Sequence, residues 1–403
     1  PLVFGADTRV EHLELRRATR CVELIAEAGE VSPTFDDVRI ERMVERGVEI
    51  VGLGGQCQPK FERMFIGVTE PTSNSVGIRA TGFPLTPAIQ LTVLDSFIGD
   101  SGGGGVGLSG AVDALFERCN FDSLGTGAIG VNATENAPTR LRCVDTAIAY
   151  SNFALLSTTE GSTFDASFTR CTIGEVVLPL MFTNGVGTVQ VALDSTIVAI
   201  PGDSIYTFGP VDITASRCLI SDGSFDGVNG CFSGDPGFRN AGDGDFRLRW
   251  GSACIDAANA AQSGARDLLG ARRDVDGNLD AQGRADIGAY EFTPLEIQST
   301  GELGSALRLD NWGPDSPSVL YWARAGLSAP SSTPFGSFEL NPQLARTFRF
   351  TTSGAASPSV TQRMIPNQLA LVGQTFSFQA LTNSAAAPLS RAFSNGVEVL
   401  IVP

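Results

Sequence analysis

Histidine and lysine are almost missing from this 403-residue chain: His12 is the only histidine and Lys60 the only lysine. One histidine cannot supply a histidine-rich metal cluster, and the sequence shows no Ser-His-Asp set and no phosphate-cradling Walker loop. Long apolar runs are missing too. None approaches the roughly 18 residues that cross a bilayer as a helix, so no transmembrane segment is expected. Positive charge is scarce, with 28 Lys and Arg against 44 Asp and Glu and a net charge of −16. Such a surface repels phosphates and anionic headgroups, which argues against nucleic acid as a partner. The excess lies before Pro294, because six acidic and six basic side chains follow it. No secretory leader is visible, and the opening PLVFGADTRV reads as the start of a mature or cleaved product.

Glycine is plentiful at 46 residues, and 25 phenylalanines stand against 4 tyrosines and 3 tryptophans. That mix favours short strands joined by tight turns. The dipeptide Arg-Cys recurs in LFERCNF, RLRCVDT, FTRCTIG and ASRCLIS. Aligning on it gives a column Leu13, Val38, Met64, Ser96, Cys119, Cys143, Cys171, Ser195, Cys218, in steps of 23 to 32 residues. Two places later a second column reads Leu15, Ile40, Ile66, Ile98, Phe121, Asp145, Ile173, Ile197, Ile220. The place before the first column is mostly charged: His12, Asp37, Arg63, Asp95, Arg118, Arg142, Arg170, Asp194, Arg217. Alternation of this kind is a strand with one buried face.

Each unit carries a further short apolar run, such as GVEIVGL or GAIGVNA, with glycine, proline and asparagine between runs. A repeat of about 25 residues holding two or three short strands is one coil of a parallel β-helix, which buries its apolar edge only by stacking. The expected fold is all-β: a parallel β-helix over residues 1–230, a terminal segment over 231–293, and a small β-sandwich over 294–403. The glycines of SGGGGVGLSG are expected to supply positive φ between strands.

The Arg-Cys cysteines then become small apolar rungs of an inward ladder. Rungs about 4.8 Å apart fall within disulfide reach, so a Cys119–Cys143 bridge is open, but buried free thiols are favoured because Cys171 would lack a partner. Cys21 and Cys57 fall on different faces of their coils.

The segment CFSGDPGFRNAGDGDFRLRWGSACID, followed by DLLGARRDVDG and DIGAYEF, resembles the terminal segment of secreted bacterial β-helix proteins of the choice-of-anchor Q type. The resemblance spans Cys231 to Phe292. It implies a right-handed parallel β-helix on an exported protein and implies no enzymatic activity. Cys231 and Cys254 stand where that family does not usually place cysteine. With an oxidising compartment implied, they form the leading disulfide candidate.

Two candidate sites arise from the residues alone. Arg118, Arg142 and Arg170 read as an outward stripe that could bind an acidic polysaccharide, as in polysaccharide lyases, with Glu117, Asp95 and Asp194 relieving their repulsion. A solvated ladder is the simpler reading, as it is for His12. Asp274, Asp276, Asn278 and Asp280 alternate around a glycine in DVDGNLD, a spacing of oxygen ligands that suits Ca2+, although a solvated turn explains it as well. No other cofactor is implied.

The function expected is that of a non-catalytic structural protein of the cell surface or matrix, assembling into a fibre or array. A carbohydrate-active β-helix, either lyase or polysaccharide-binding module, is the alternative, and a host-binding spike a third. Solenoids need covered ends. The terminal segment is expected to cap the C-terminal end, and Leu2, Val3, Phe4 and Leu13 to lie against a neighbouring copy.

Overall fold

In Ile89–Leu94, Val112–Glu117 and Thr139–Val144 every second residue is buried, and all of these but Thr139 are apolar. Pairing the strands in parallel stacks Leu91 on Ala114 on Leu141, and Val93 on Phe116 on Cys143. The computed structural model describes residues 8–67, 75–134, 136–178, 180–200, 202–260, 265–280, 282–313, 316–352, 358–383 and 391–403. Residues 9–220 form a parallel β-solenoid of about eight turns, and antiparallel sheets follow in the C-terminal region. Leu2, Val3 and Phe4 lie outside the described residues.

Each coil contributes to three walls. The first runs from Arg9–Arg16 through the strands above to Val211–Ser216. The second holds Phe65–Gly67, Phe97–Ser101, Asn120–Leu124, Ala147–Ala149, Thr172–Gly174, Ile197–Ala199 and Leu219–Ile220. The third runs from Arg20–Ala26 through Arg46–Gly52, Val76–Gly82, Gly104–Ser109 and Gly127–Ala133 to Ile205–Phe208. Inward side chains of all three walls form one continuous core that includes Phe61, Phe116, Phe121, Phe164, Phe168 and Phe182.

The first and second walls meet at a corner one residue wide. His12, Asp37, Arg63, Asp95, Arg118, Asp145, Arg170, Ser195 and Arg217 occupy it, all with φ between 47° and 55°. This left-handed conformation turns the chain in one residue, at a cost of about 1–2 kcal/mol for a residue with a side chain. The corner corrects the sequence alignment. Strand pairing places Phe116 opposite Cys143 and Asn120 opposite Ala147, so Thr146, not Cys143, stacks on Cys119. The inward column beyond the corner is Leu13, Val38, Met64, Ser96, Cys119, Thr146, Cys171, Thr196, Cys218. The next inward column contains Ile148 and Val198 where Asp145 and Ile197 were expected.

The glycines of SGGGGVGLSG also act differently from the expectation, since only Gly110 has positive φ (72°). A Cβ on Gly103 would lie 1.9 Å from the Ser75 carbonyl oxygen, and one on Gly105 2.6 Å from that of Ala128. These glycines permit close approach of neighbouring coils.

Only the start of the terminal segment covers the end of the solenoid. Phe232 bridges to Leu219, adding one rung, and the chain then runs back along the second wall. Gly288 N–H donates to Ser195 O (2.9 Å), Ala289 N–H to Thr172 Oγ1 (2.9 Å) and Asn259 N–H to Ser195 Oγ (2.9 Å). From Ala147–Ala149 onward the second wall is therefore buried on both faces, with Ile197 and Leu219 packed against Leu248, Ile255 and Phe292. Beyond it, a three-stranded sheet (Leu295–Gln298, Ala306–Asn311, Ser359–Met364) faces a five-stranded one centred on Ser316–Ala323 and Thr375–Asn383. Leu295 and Leu309 of the first share a core with Leu320, Phe378 and Val399 of the second, a sandwich-like arrangement.

Candidate functional site

Down the corner, charge alternates. Asp95 accepts from Arg118 Nε (2.6 Å) and Nη2 (3.0 Å), and Asp145 from Arg170 Nε (2.8 Å) and Nη2 (3.0 Å). His12 Nδ1 lies 2.6 Å from Asp37, so this histidine is exposed but paired. Arg118 also meets Glu117; the hydrogen bonds it donates to Asp95 hold its pKa above the usual guanidinium value, against the effect of burial.

The three stripe arginines do not share a column. Arg142 sits in the first wall, opposite Leu115, and donates to Asp113 (2.9 Å). Arg118 and Arg170 stand two rungs apart at the corner with Asp145 between them. Arg266, which sequence reasoning missed, takes the third place. Its loop closes a cleft of about 760 Å³ lined by Asp95, Leu115, Glu117, Arg118, Val144, Asp145, Thr169, Arg170, Ala265, Arg266 and Gly270.

Behind the cleft lies a buried ionic network. Asp145 is 2% exposed and accepts from both Arg170 and Arg273 Nη2 (2.7 Å). Arg273, itself 2% exposed, reaches Glu291 (3.4 Å), which in turn accepts from the Asp286 N–H (3.0 Å). Asp286 accepts from the N–H groups of Asp256 (2.7 Å) and Phe292 (2.5 Å). Asp256 accepts from those of Asn278 (2.8 Å) and Arg284 (3.0 Å), and Asp267 from those of Leu269, Ala271 and Glu291. The conspicuous acids of GSACID, DLLG and DIGAYEF thus replace missing strand partners in a segment with little regular structure. Burial pushes Asp256 up to about 7 and Asp286 up to about 8, and raises Asp267 and Glu291 as well. The sequence signal was an acid inside each apolar phrase; the spacing gave no means of seeing that Glu291 and Asp145 meet at Arg273.

The DVDGNLD oxygens do not meet at one point. Asp274 turns both oxygens to Arg272 (2.9 Å each), which continues to Glu339 (3.1 Å). Asp276 and Asn278 accept from the Asp280 N–H (2.9 Å each), and Asp280 accepts from the Gln282 N–H (2.9 Å). Among the described residues no group of three or more acids, cysteines or histidines is arranged to hold a metal ion. Of the expected calcium set, Asp274 is thus engaged at both oxygens by arginine.

All eight cysteines are free thiols. Cys231 packs in the solenoid core and Cys254 in the separate core beneath the second wall, so the expected Cys231–Cys254 bridge is not formed. Cys231 instead follows Cys218, whose N–H approaches its sulfur (3.4 Å). Leu13 is half-buried against the core of its own solenoid. No family model, no curated protein and no solved structure matches the chain.

Proposed function

We propose that the chain is an exported, non-catalytic structural protein of a cell surface or extracellular matrix, and that its solenoids stack end to end. The observation that carries this reading is the state of the last coil. Among the described residues Ile205–Phe208 pairs on one side only, with Leu180–Thr183, and Tyr206 and Phe208 are 42% and 51% exposed. Arg20–Ala26, at the other end of the same wall, likewise pairs only with Arg46–Gly52 among the described residues. Register carries Ile25, 45% exposed, through Val51, Thr81, Ser109, Asn132, Thr158 and Thr183 to Phe208. A second copy continuing the ladder would set its Ile25 against Phe208 and satisfy both strand edges, a heterologous contact that does not close.

Export is supported by the resemblance of residues 231–292 to choice-of-anchor Q segments. The acids of those phrases hold the backbone together, which agrees with a structural use of the motif.

Sedimentation and electron microscopy of the parent, Phe208→Lys and Ile25→Lys test the proposal. Rods longer than one chain are expected for the parent, and single particles for either variant. A parent that stays monomeric at high concentration overturns the assembly. Unsaturated, ultraviolet-absorbing products after incubation with a polyuronate overturn the non-catalytic part.

A further inference from the structure

We propose that the corner cleft is a binding site for an acidic sugar, a carboxylated unit of a polysaccharide, with Arg266 as its carboxylate anchor. This goes beyond the scaffold reading and does not depend on assembly. The cleft's about 760 Å³ falls within the range of ordinary small-ligand sites. Its polar lining is balanced: Arg118, Arg170 and Arg266 face Asp95, Glu117 and Asp145.

That balance selects the ligand. A phosphate or sulfate dianion would meet three carboxylates as well as three guanidiniums. A neutral sugar would leave Arg266 with only the Gly270 carbonyl (2.6 Å) as a hydrogen-bonding partner among the described residues. Arg170 commits Nε and Nη2 to Asp145, leaving Nη1 without a hydrogen-bond partner among the described residues. A single carboxylate between Arg266 and Arg170 Nη1 satisfies both. Hydroxyls can then donate to Asp95 and Glu117, while Leu115, Val144 and Ala265 offer apolar contact to the C–H faces of a pyranose. The ladder fixes the arginines in advance: Arg170 is held bidentately and backed by the buried Asp145–Arg273 pair, so little ordering remains for the ligand to impose.

The net charge of −16 opposes any anion at long range. At about 0.15 M salt, where the Debye length is about 8 Å, the cleft's own groups dominate.

Calorimetric titration at that ionic strength, with the full chain, tests the site. The probes are trigalacturonate, the neutral maltotriose, and inorganic sulfate. Trigalacturonate is expected to bind at one site, weakened at least five-fold by Arg266→Ala and unchanged by Arg142→Ala, with maltotriose and sulfate both much weaker. Arg266 is exposed and outside the buried network, so its loss leaves the fold intact, which circular dichroism verifies. Absence of trigalacturonate binding overturns the proposal, as does binding that survives Arg266→Ala. Equal binding of maltotriose removes the carboxylate anchor, and equal binding of sulfate removes the sugar; either result overturns it.

Discussion

At three places in this chain arginine precedes cysteine because the two sit on either side of the same sharp turn. Arginine occupies the left-handed corner and cysteine the first inward place after it, as at 118–119, 170–171 and 217–218. The coils between carry an acid or serine at the corner and a hydroxyl inside: Asp95-Ser96, Asp145-Thr146, Ser195-Thr196. The two kinds of coil complement one another. Thr146 Oγ1 accepts from the Cys119 N–H (3.3 Å) and Thr196 Oγ1 from the Cys171 N–H (3.2 Å), while Cys119 Sγ donates back to Val93 O (3.4 Å). Replacing Thr146 with valine keeps shape but strands a buried N–H, so a loss of about 1–3 kcal/mol is expected in chemical denaturation, and less for Thr146→Ser. Burial pushes the Cys119, Cys171 and Cys254 thiols up to about 12. A thiol reagent at neutral pH is therefore expected to modify only the half-buried Cys21 in the native protein, and all eight cysteines after denaturation. The inward ladder of small residues was legible in the sequence. Its register at the sixth coil was not, because Arg142-Cys143 mimics the corner dipeptide from within a strand, three residues before Asp145-Thr146.

Among elements, the second wall departs most from simple alternation. Ala147-Ile148-Ala149, Thr172-Ile173-Gly174 and Ile197-Val198-Ala199 are apolar or small throughout, the pattern of strands covered on both sides. The sequence shows that pattern, yet it does not say what the cover is. The terminal segment is held there by Arg273, which ties Asp145 of the solenoid to Glu291. Arg273→Ala removes the buried cation between Asp145 and Glu291 and is expected to cost about 3–5 kcal/mol, measured by the unfolding of the terminal segment. Tryptophan emission can report it, since Trp250 and Trp312 pack on Phe292 at 6.1 and 6.3 Å. The same segment has a defined pH response. Asp256 and Asp286, near 4 in an unfolded chain, are pushed up to about 7 and 8, so the folded form binds more protons. Their contribution to stability is complete below about pH 4 and is lost as pH rises through 7 to 8. The segment is expected to melt at a lower temperature at pH 8.5 than at pH 5.5, a difference that tryptophan emission would record.

For the whole molecule, the repeat of about 25 residues, the glycine content and the short apolar runs were enough to read a parallel solenoid followed by antiparallel sheets. The end cap was drawn too long because a solenoid's flank and its end ask for the same kind of apolar cover, and only the path of the chain after Phe232 distinguishes them. Introducing a charge at the open rim, as in Phe208→Lys, is the change expected to alter particle length without altering the coil. The alternating corner has a consequence for how such a chain can grow or shrink. From Asp95 to Cys218 its unit of construction is two coils, one Arg-Cys and one with an acid or serine at the corner and a hydroxyl inside. Excision of Asp95 to Glu117 would bring Arg63 beside Arg118 at the corner and Met64 beside Cys119, where no hydroxyl meets the inner N–H. Excising two consecutive coils leaves both alternations in phase. Lengths that differ by an even number of coils should therefore be the ones that fold, a parity rule written in the corner of the helix.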